Sequence, residues 1–148
     1  MIKNIIINTE VMDKYKKDYF ILYPKRRKFP KYFENPIPIS LNTFIVKKRM
    51  AQNDIKQKYG DFAKWLAEYY HINDLNLNKA CFTYSFYFNN YHRHDIDNYT
   101  LSNKFIADGF VKAKVLVDDN SSVLELKFKP FKYDKLHPRV EIEIEYNK

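Results

Sequence analysis

The chain has 148 residues and a formal net charge of +8, from 26 lysines and arginines against 18 aspartates and glutamates. This length favours a single domain with a real hydrophobic core and leaves too little chain for two. The single Cys81 excludes an intrachain disulfide, and no apolar run approaches the roughly 18 residues of a membrane span. We therefore expect a soluble, cytoplasmic protein with no membrane association.

Positive charge is concentrated near the N-terminus. Residues 1–50 hold 12 of the basic residues against 4 acidic ones, whereas residues 51–148 hold 14 of each. Basic clusters at Lys14–Lys17 and Lys25–Lys28, followed by several prolines, predict a basic N-terminal extension over residues 1–30 and a folded domain over residues 31–148. The surplus is typical either of a solvated surface or of a protein that binds a polyanion.

The first half of the chain contains one clear helix and one clear strand. Apolar alternation predicts a strand at Asp18–Tyr23, and a short extended segment is expected at Tyr32–Ile37. From Ala51 to Tyr70, apolar residues recur every three or four positions, which predicts an amphipathic helix. Ala80–Phe88 alternates strictly between aromatic and smaller residues and is predicted as a strand.

The second half predicts a helix followed by strands. A helix is expected shortly after Asn98, and a short strand at Lys114–Val117. Ser122–Phe128 and Arg139–Tyr146 alternate as strands with one wet face, and we expect them to form an antiparallel hairpin. The predicted fold is α+β: a single domain with a small mixed sheet, two main helices packed against it and a C-terminal β-hairpin.

A cluster of carboxylates follows the aromatic strand. Asp95 and Asp97 are two residues apart, so in an extended segment both would project to the same side. Paired carboxylates are hard oxygen ligands for Mg²⁺ or Mn²⁺, which often take their remaining ligands from a substrate phosphate. The pattern therefore suggests metal-dependent phosphodiester chemistry.

Two further acidic features lie downstream. Lys104 and Asp108 are four residues apart, so on a helix they would face either a common pocket or solvent as a surface ion pair. Asp118 and Asp119 precede Asn-Ser, which is typical of a tight turn as well as of a ligand pair.

The order of these motifs resembles the RusA family of Holliday-junction resolvases, which are metal-dependent endonucleases of bacteria and their phages. The resemblance covers roughly residues 35–146. It is carried by four segments of the sequence: Pro36–Asn42, Asp95–Asn98, Lys104–Gly109 and Val117–Asp119. It departs from the family in needing a few extra residues before Lys104, and in having His94, with Arg93 before it, where an arginine is expected.

The resemblance implies that Asp95, Asp97 and Asp119 are the catalytic, metal-binding acids and that Lys104 is the essential lysine. Asp108 and Asp118 are possible second-shell residues. The implied reaction is paired cleavage of four-way DNA junctions in recombination and repair, with Mg²⁺ as cofactor, Mn²⁺ as a substitute, and a homodimer that presents two sites. The predicted DNA contacts are Asn42, Lys47, Lys48, Arg49 and Arg93.

Other functions remain open from the sequence. A non-catalytic DNA-binding module would use the aspartates only as turn and cap residues, and a nuclease of the same fold could instead cut forks or flaps. A small zinc protein could use His92, His94 and Cys81, although their spacing does not match familiar zinc sites.

Overall fold

The structure, a computed structural model, describes residues 1–91 and 94–147, with only the backbone of Ile96 and Ser102. It confirms an α+β fold built on a mixed sheet. The helices are α1 (Thr9–Leu22), α2 (Leu41–Ile45), α3 (Arg49–Tyr69) and α4 (Leu101–Lys112), and the strands are β1 (Ile2–Ile7), β2 (Ala80–Phe88), β3 (Leu124–Phe128), β4 (Lys132–Tyr133) and β5 (Arg139–Tyr146). Short 3₁₀ turns occupy Lys31–Phe33 and Ile96–Asn98. Among the described helices, none combines the length and apolar character needed to cross a membrane.

The sheet has the order β1-β5-β2-β3, with β4 also paired to β2. Strand β5 runs antiparallel to both β1 and β2, whereas β3 and β4 run parallel to β2. The predicted hairpin between the last two long strands is therefore wrong, because β2 lies between β3 and β5. Strand β2 takes a central position, with β5 on one edge and β3 and β4 on the other, and its inner side chains are all buried.

The helices cover one face of the sheet. On β5, Val140, Ile142 and Ile144 are buried in the core, while Glu141 and Glu143 on the opposite face keep access to solvent. This alternation is typical of an antiparallel pair with one wet face.

The N-terminal residues belong to the core and do not form an extension. Strand β1 pairs with β5 along its whole length. The Asn8 side chain caps α1, on which Tyr15 and Tyr19 are buried. The predicted strand at Asp18–Tyr23 is wrong, because most of this segment is the last turn of α1, which is a third main helix. The segment expected to be extended after Lys31 instead begins with a 3₁₀ turn.

Helices α3 and α4 confirm the two helices predicted from the sequence, and they pack closely against each other. The predicted strand at Lys114–Val117 is reduced to an isolated parallel bridge between Leu116 and Leu77. Its brevity follows from the backbone of Lys114, whose positive φ of 59° interrupts extended geometry.

Candidate active site

Helix α4 brings Lys104 and Asp108 to its exposed side, as their spacing of four residues predicts. Asp119 lies in the connection between α4 and β3. Its carboxyl group lies close to that of Asp108. Lys104 and Asp119 line the same open cavity, of about 340 Å³. The structure thus gathers one lysine and two acids beside a space that is open to solvent.

The electrostatics of this pair reflect like charges held close together. The pKa of Asp108 is raised by partial enclosure, and further by the hydrogen bond and negative charge of Asp119. Lys104 and Lys112 oppose this rise through their positive charge. Asp108 and Asp119 thus form an acid pair, in which two negative charges lie close together and a nearby positive charge is favoured.

Asp118 has a local role in the turn. Its two carboxylate oxygens accept hydrogen bonds from the Asp119 backbone N–H at 2.7 Å and from the Asn120 side-chain amide at 2.8 Å. Both bonds are those of a turn-stabilising aspartate. The structure therefore favours the turn interpretation for Asp118.

Asp95 and Asp97 lie in a tight loop rather than in an extended segment. Asp97 is inside the 3₁₀ turn Ile96–Asn98, and the Asn98 N–H donates to the Asp95 carbonyl at 3.1 Å. Both side chains are exposed. The strand alternation that would align these two carboxylates does not apply here, because a 3₁₀ turn has about three residues per turn.

Helix α2 places basic residues beside this loop. The Asn42 N–H donates to the Asn98 side-chain oxygen at 2.9 Å, so the backbone of Asn42 supports the loop. Lys47, Lys48 and Arg49 follow and are all exposed. Helix α3 then begins at Arg49 with no side-chain cap and no acidic residue in its first turn, which adds the positive end of the helix dipole to this charge. The predicted DNA contact Arg93 lies outside the described residues.

The three predicted metal ligands are not assembled as a set. Among the side chains that the structure describes, no three His, Cys, Asp or Glu residues are grouped closely enough to hold a metal ion. The pair of Asp108 and Asp119 nevertheless fits part of a hard-cation site, because both donors are carboxylates. Asp95 and Asp97 would have to supply further ligands from the neighbouring loop.

The structure does not support a zinc site built from Cys81 and His94. The His94 ring stacks on Phe88 with centroids 3.7 Å apart, at the end of β2. Cys81 is near the start of that strand, seven residues earlier, which corresponds to about 23 Å along a β-strand. His92, the third suggested ligand, lies outside the described residues.

Asn103 is a candidate site residue that the sequence did not reveal. It is only 6% exposed, and it lines the cavity beside Lys104 and Asp119. Its side-chain oxygen accepts a hydrogen bond from the buried Tyr84 hydroxyl. The available sequence signal was an asparagine next to Lys104 on the predicted helix. Its burial and its partner on β2 could not be known without the fold.

No protein-family model matches the chain, and no curated protein matches it significantly.

Proposed function

We propose that the chain is a Mg²⁺-dependent endodeoxyribonuclease that cleaves four-way DNA junctions, as its resemblance to the RusA family implies. The observation that carries this proposal is the acid pair of Asp108 and Asp119 beside Lys104 in an open cavity. Carboxylates next to a lysine suit the hydrolysis of a phosphodiester, an anion that must be attacked by another anion.

Each residue has a distinct role in this proposal. Asp119, together with Asp108, would hold the cation, and Asp95 and Asp97 would complete its ligands from the adjacent loop. Bound Mg²⁺ would supply an activated water and positive charge at the phosphate. Lys104 neutralises a non-bridging phosphate oxygen, a role that its exposed position in the cavity permits.

The surrounding charge supports DNA as the substrate. Lys47, Lys48 and Arg49 lie next to the α2 helix that contacts the Asp97 loop, so a DNA strand held by these cations would pass near the acids. Symmetric cleavage of a four-way junction needs two active sites, and we propose that a two-fold homodimer provides them.

The test is cleavage of a labelled four-way junction in Mg²⁺. Asp119→Asn, Asp97→Asn and Lys104→Ala should each lower the cleavage rate by about 100-fold or more, because the first two weaken binding of the cation and the third removes a positive charge that stabilises the transition state. Asp13→Asn, an exposed position on α1, is the matched control and should leave the rate unchanged. An Asp119→Asn protein that cleaves as fast as the unmodified chain would refute the proposal.

A non-catalytic DNA-binding module is the second candidate. It is favoured by the turn role of Asp118 and by the lack of a three-ligand cluster among the described side chains. Manganese titration followed by electron paramagnetic resonance separates the two functions. A nuclease should bind Mn²⁺ and lose that binding in Asp119→Asn, whereas a simple DNA-binding module should bind none. Comparing junction, fork and flap substrates in the cleavage assay then identifies the preferred DNA.

A further inference from the structure

We propose that the corner between α2 and α3, residues 45–50, is an apolar wedge that inserts against unstacked bases at a DNA branch point. This inference deepens the proposed function and takes DNA as the partner. Three large apolar side chains at this corner point into solvent: Ile45 is 63% exposed, Val46 80% and Met50 86%. Such side chains, clustered within six residues, are typical of an interaction site.

Contacts with α3 and α4 anchor the backbone of this corner. The Gln52 side-chain amide donates to the carbonyls of Phe44, Ile45 and Lys47 at 3.3, 3.4 and 3.1 Å. The buried Phe44 ring packs on Phe105 of α4, with centroids 5.5 Å apart. The corner is therefore fixed to the helix that carries Lys104.

Charge around the wedge selects an anionic partner. Lys47, Lys48 and Arg49 lie between Val46 and Met50, and all three are exposed. No aspartate or glutamate occurs between Glu34 and Asp54. An apolar tip among cations is complementary to a partner that offers apolar surfaces bordered by negative charge, as nucleic-acid bases and their phosphates do.

The surroundings favour DNA over an anionic lipid surface. Helix α2 contacts the 3₁₀ turn that contains Asp97, which the proposed function places beside the bound DNA strand. The apolar group is also a compact tip, whereas membrane-surface helices present a long apolar face. Phe44, on the same helix, is buried, so it does not extend the exposed tip into such a face.

A wedge of this kind would distinguish branched DNA from continuous duplex. Inserting an apolar side chain between stacked base pairs requires unstacking, which opposes binding. At a branch point the stacking is already interrupted, so the same contact forms more easily. The corner would then provide selectivity for DNA shape, while the neighbouring cations bind phosphates in any sequence.

The experiment compares binding to a four-way junction and to a duplex of the same sequence, with EDTA present so that no cleavage occurs. The junction carries 2-aminopurine beside the branch point. The unmodified chain should bind the junction about tenfold more tightly than the duplex and increase the 2-aminopurine fluorescence. The triple variant Ile45→Ser, Val46→Ser, Met50→Ser should lose both the preference and the fluorescence change and keep its duplex affinity.

The control variant Ile21→Ser, Leu136→Ser replaces apolar residues that are 75% and 81% exposed elsewhere, and it should behave as the unmodified chain does. Thermal unfolding verifies that each variant folds. The inference is overturned if the triple variant keeps the junction preference or if the unmodified chain has none. The inference is also overturned, in favour of a membrane partner, if the unmodified chain shows no junction preference and sediments with phosphatidylserine vesicles while the triple variant does not.

These outcomes are independent of catalysis. A chain that shows the wedge-dependent preference but never cleaves DNA in Mg²⁺ would refute the nuclease and leave the wedge standing. A chain that cleaves junctions while the triple variant binds them normally would refute only the wedge.

Discussion

Asn103 links the hydrophobic core to the candidate active site through its side-chain amide. The amide oxygen accepts a hydrogen bond from the Tyr84 hydroxyl, and Asn103 also lines the cavity beside Lys104. Burial raises the pKa of Tyr84 well above its usual value, so its hydroxyl remains a proton donor at neutral pH. This single bond therefore ties the central strand β2 to a residue of the cavity wall.

Tyr84→Phe should lower the free energy of unfolding by about 1–3 kcal/mol, because it leaves the buried Asn103 oxygen without its donor. Urea denaturation measures this change. Tyr87→Phe is the matched control: Tyr87 lies on the same strand but on the outer, half-buried face, and its replacement should change stability much less. Equal losses in the two variants would contradict the role given to the Asn103 bond.

At the next scale, the position of α4 depends on a close approach to α3. The chain has only two glycines, Gly60 on α3 and Gly109 on α4. A Cβ atom at Gly109 would lie 2.4 Å from the Ala63 Cβ and 2.5 Å from the Gly60 carbonyl oxygen. Only glycine permits this crossing, and the crossing sets where Lys104 and Asp108 emerge.

Gly109→Ala should therefore destabilise the protein by about 1–3 kcal/mol, because the added methyl group forces the two helices apart. The matched control is Gly60→Ala, whose Cβ would meet only the flexible Lys112 amine at 3.5 Å. That change should be neutral or stabilising by up to about 1 kcal/mol, since alanine is the better helix former. Thermal denaturation of both variants gives the comparison, and a Gly109→Ala protein as stable as Gly60→Ala would contradict it.

Local patterns predicted the elements whose periodicity is unambiguous. Helices α3 and α4 and strand β2 were predicted because each repeats its apolar residues with a single period. Helix α1 was missed because Tyr19, Ile21 and Tyr23 imitate strand alternation at its end. The signal that would have found it is the cap: Asn8 is followed by Thr9 and Glu10, and its side chain accepts the Val11 N–H.

Long-range pairing was not encoded locally. The alternation in β3 and β5 predicts strands but does not say which edge each one meets, and β2 separates them. The same limit applies to the site. The helical spacing of Lys104 and Asp108 was readable, whereas the pairing of Asp119 with Asp108 depends on how the chain returns from α4 to β3.

At the scale of the whole molecule, the charge of the chain is divided between two surfaces. The outer face of the sheet carries Glu125 on β3 and Glu141, Glu143 and Glu145 on β5, the two strands that flank β2. The cations of residues 47–49 lie instead at the α2–α3 corner, beside the Asp97 loop. A DNA backbone would be repelled by the sheet face and attracted to the corner. DNA should therefore bind on one side of the molecule, which the net charge of +8 alone does not indicate.

DNA binding should weaken steeply with salt, and the corner should account for a definable part of that dependence. Each phosphate contact adds about 0.9 to the slope of log affinity against log salt. The variant Lys47→Gln, Lys48→Gln, Arg49→Gln should lower the slope by up to about 3 between about 50 and about 200 mM salt, measured by fluorescence anisotropy on duplex DNA. The comparison variant, Lys79→Gln, Lys127→Gln, removes two cations near the sheet edge. It should leave the slope nearly unchanged, because those lysines neighbour Glu125 and Glu145 around the sheet-face cavity. If the slope changed equally per cation in the two variants, DNA binding would depend on the total charge and not on where the cations lie. That result would contradict the role proposed for the corner.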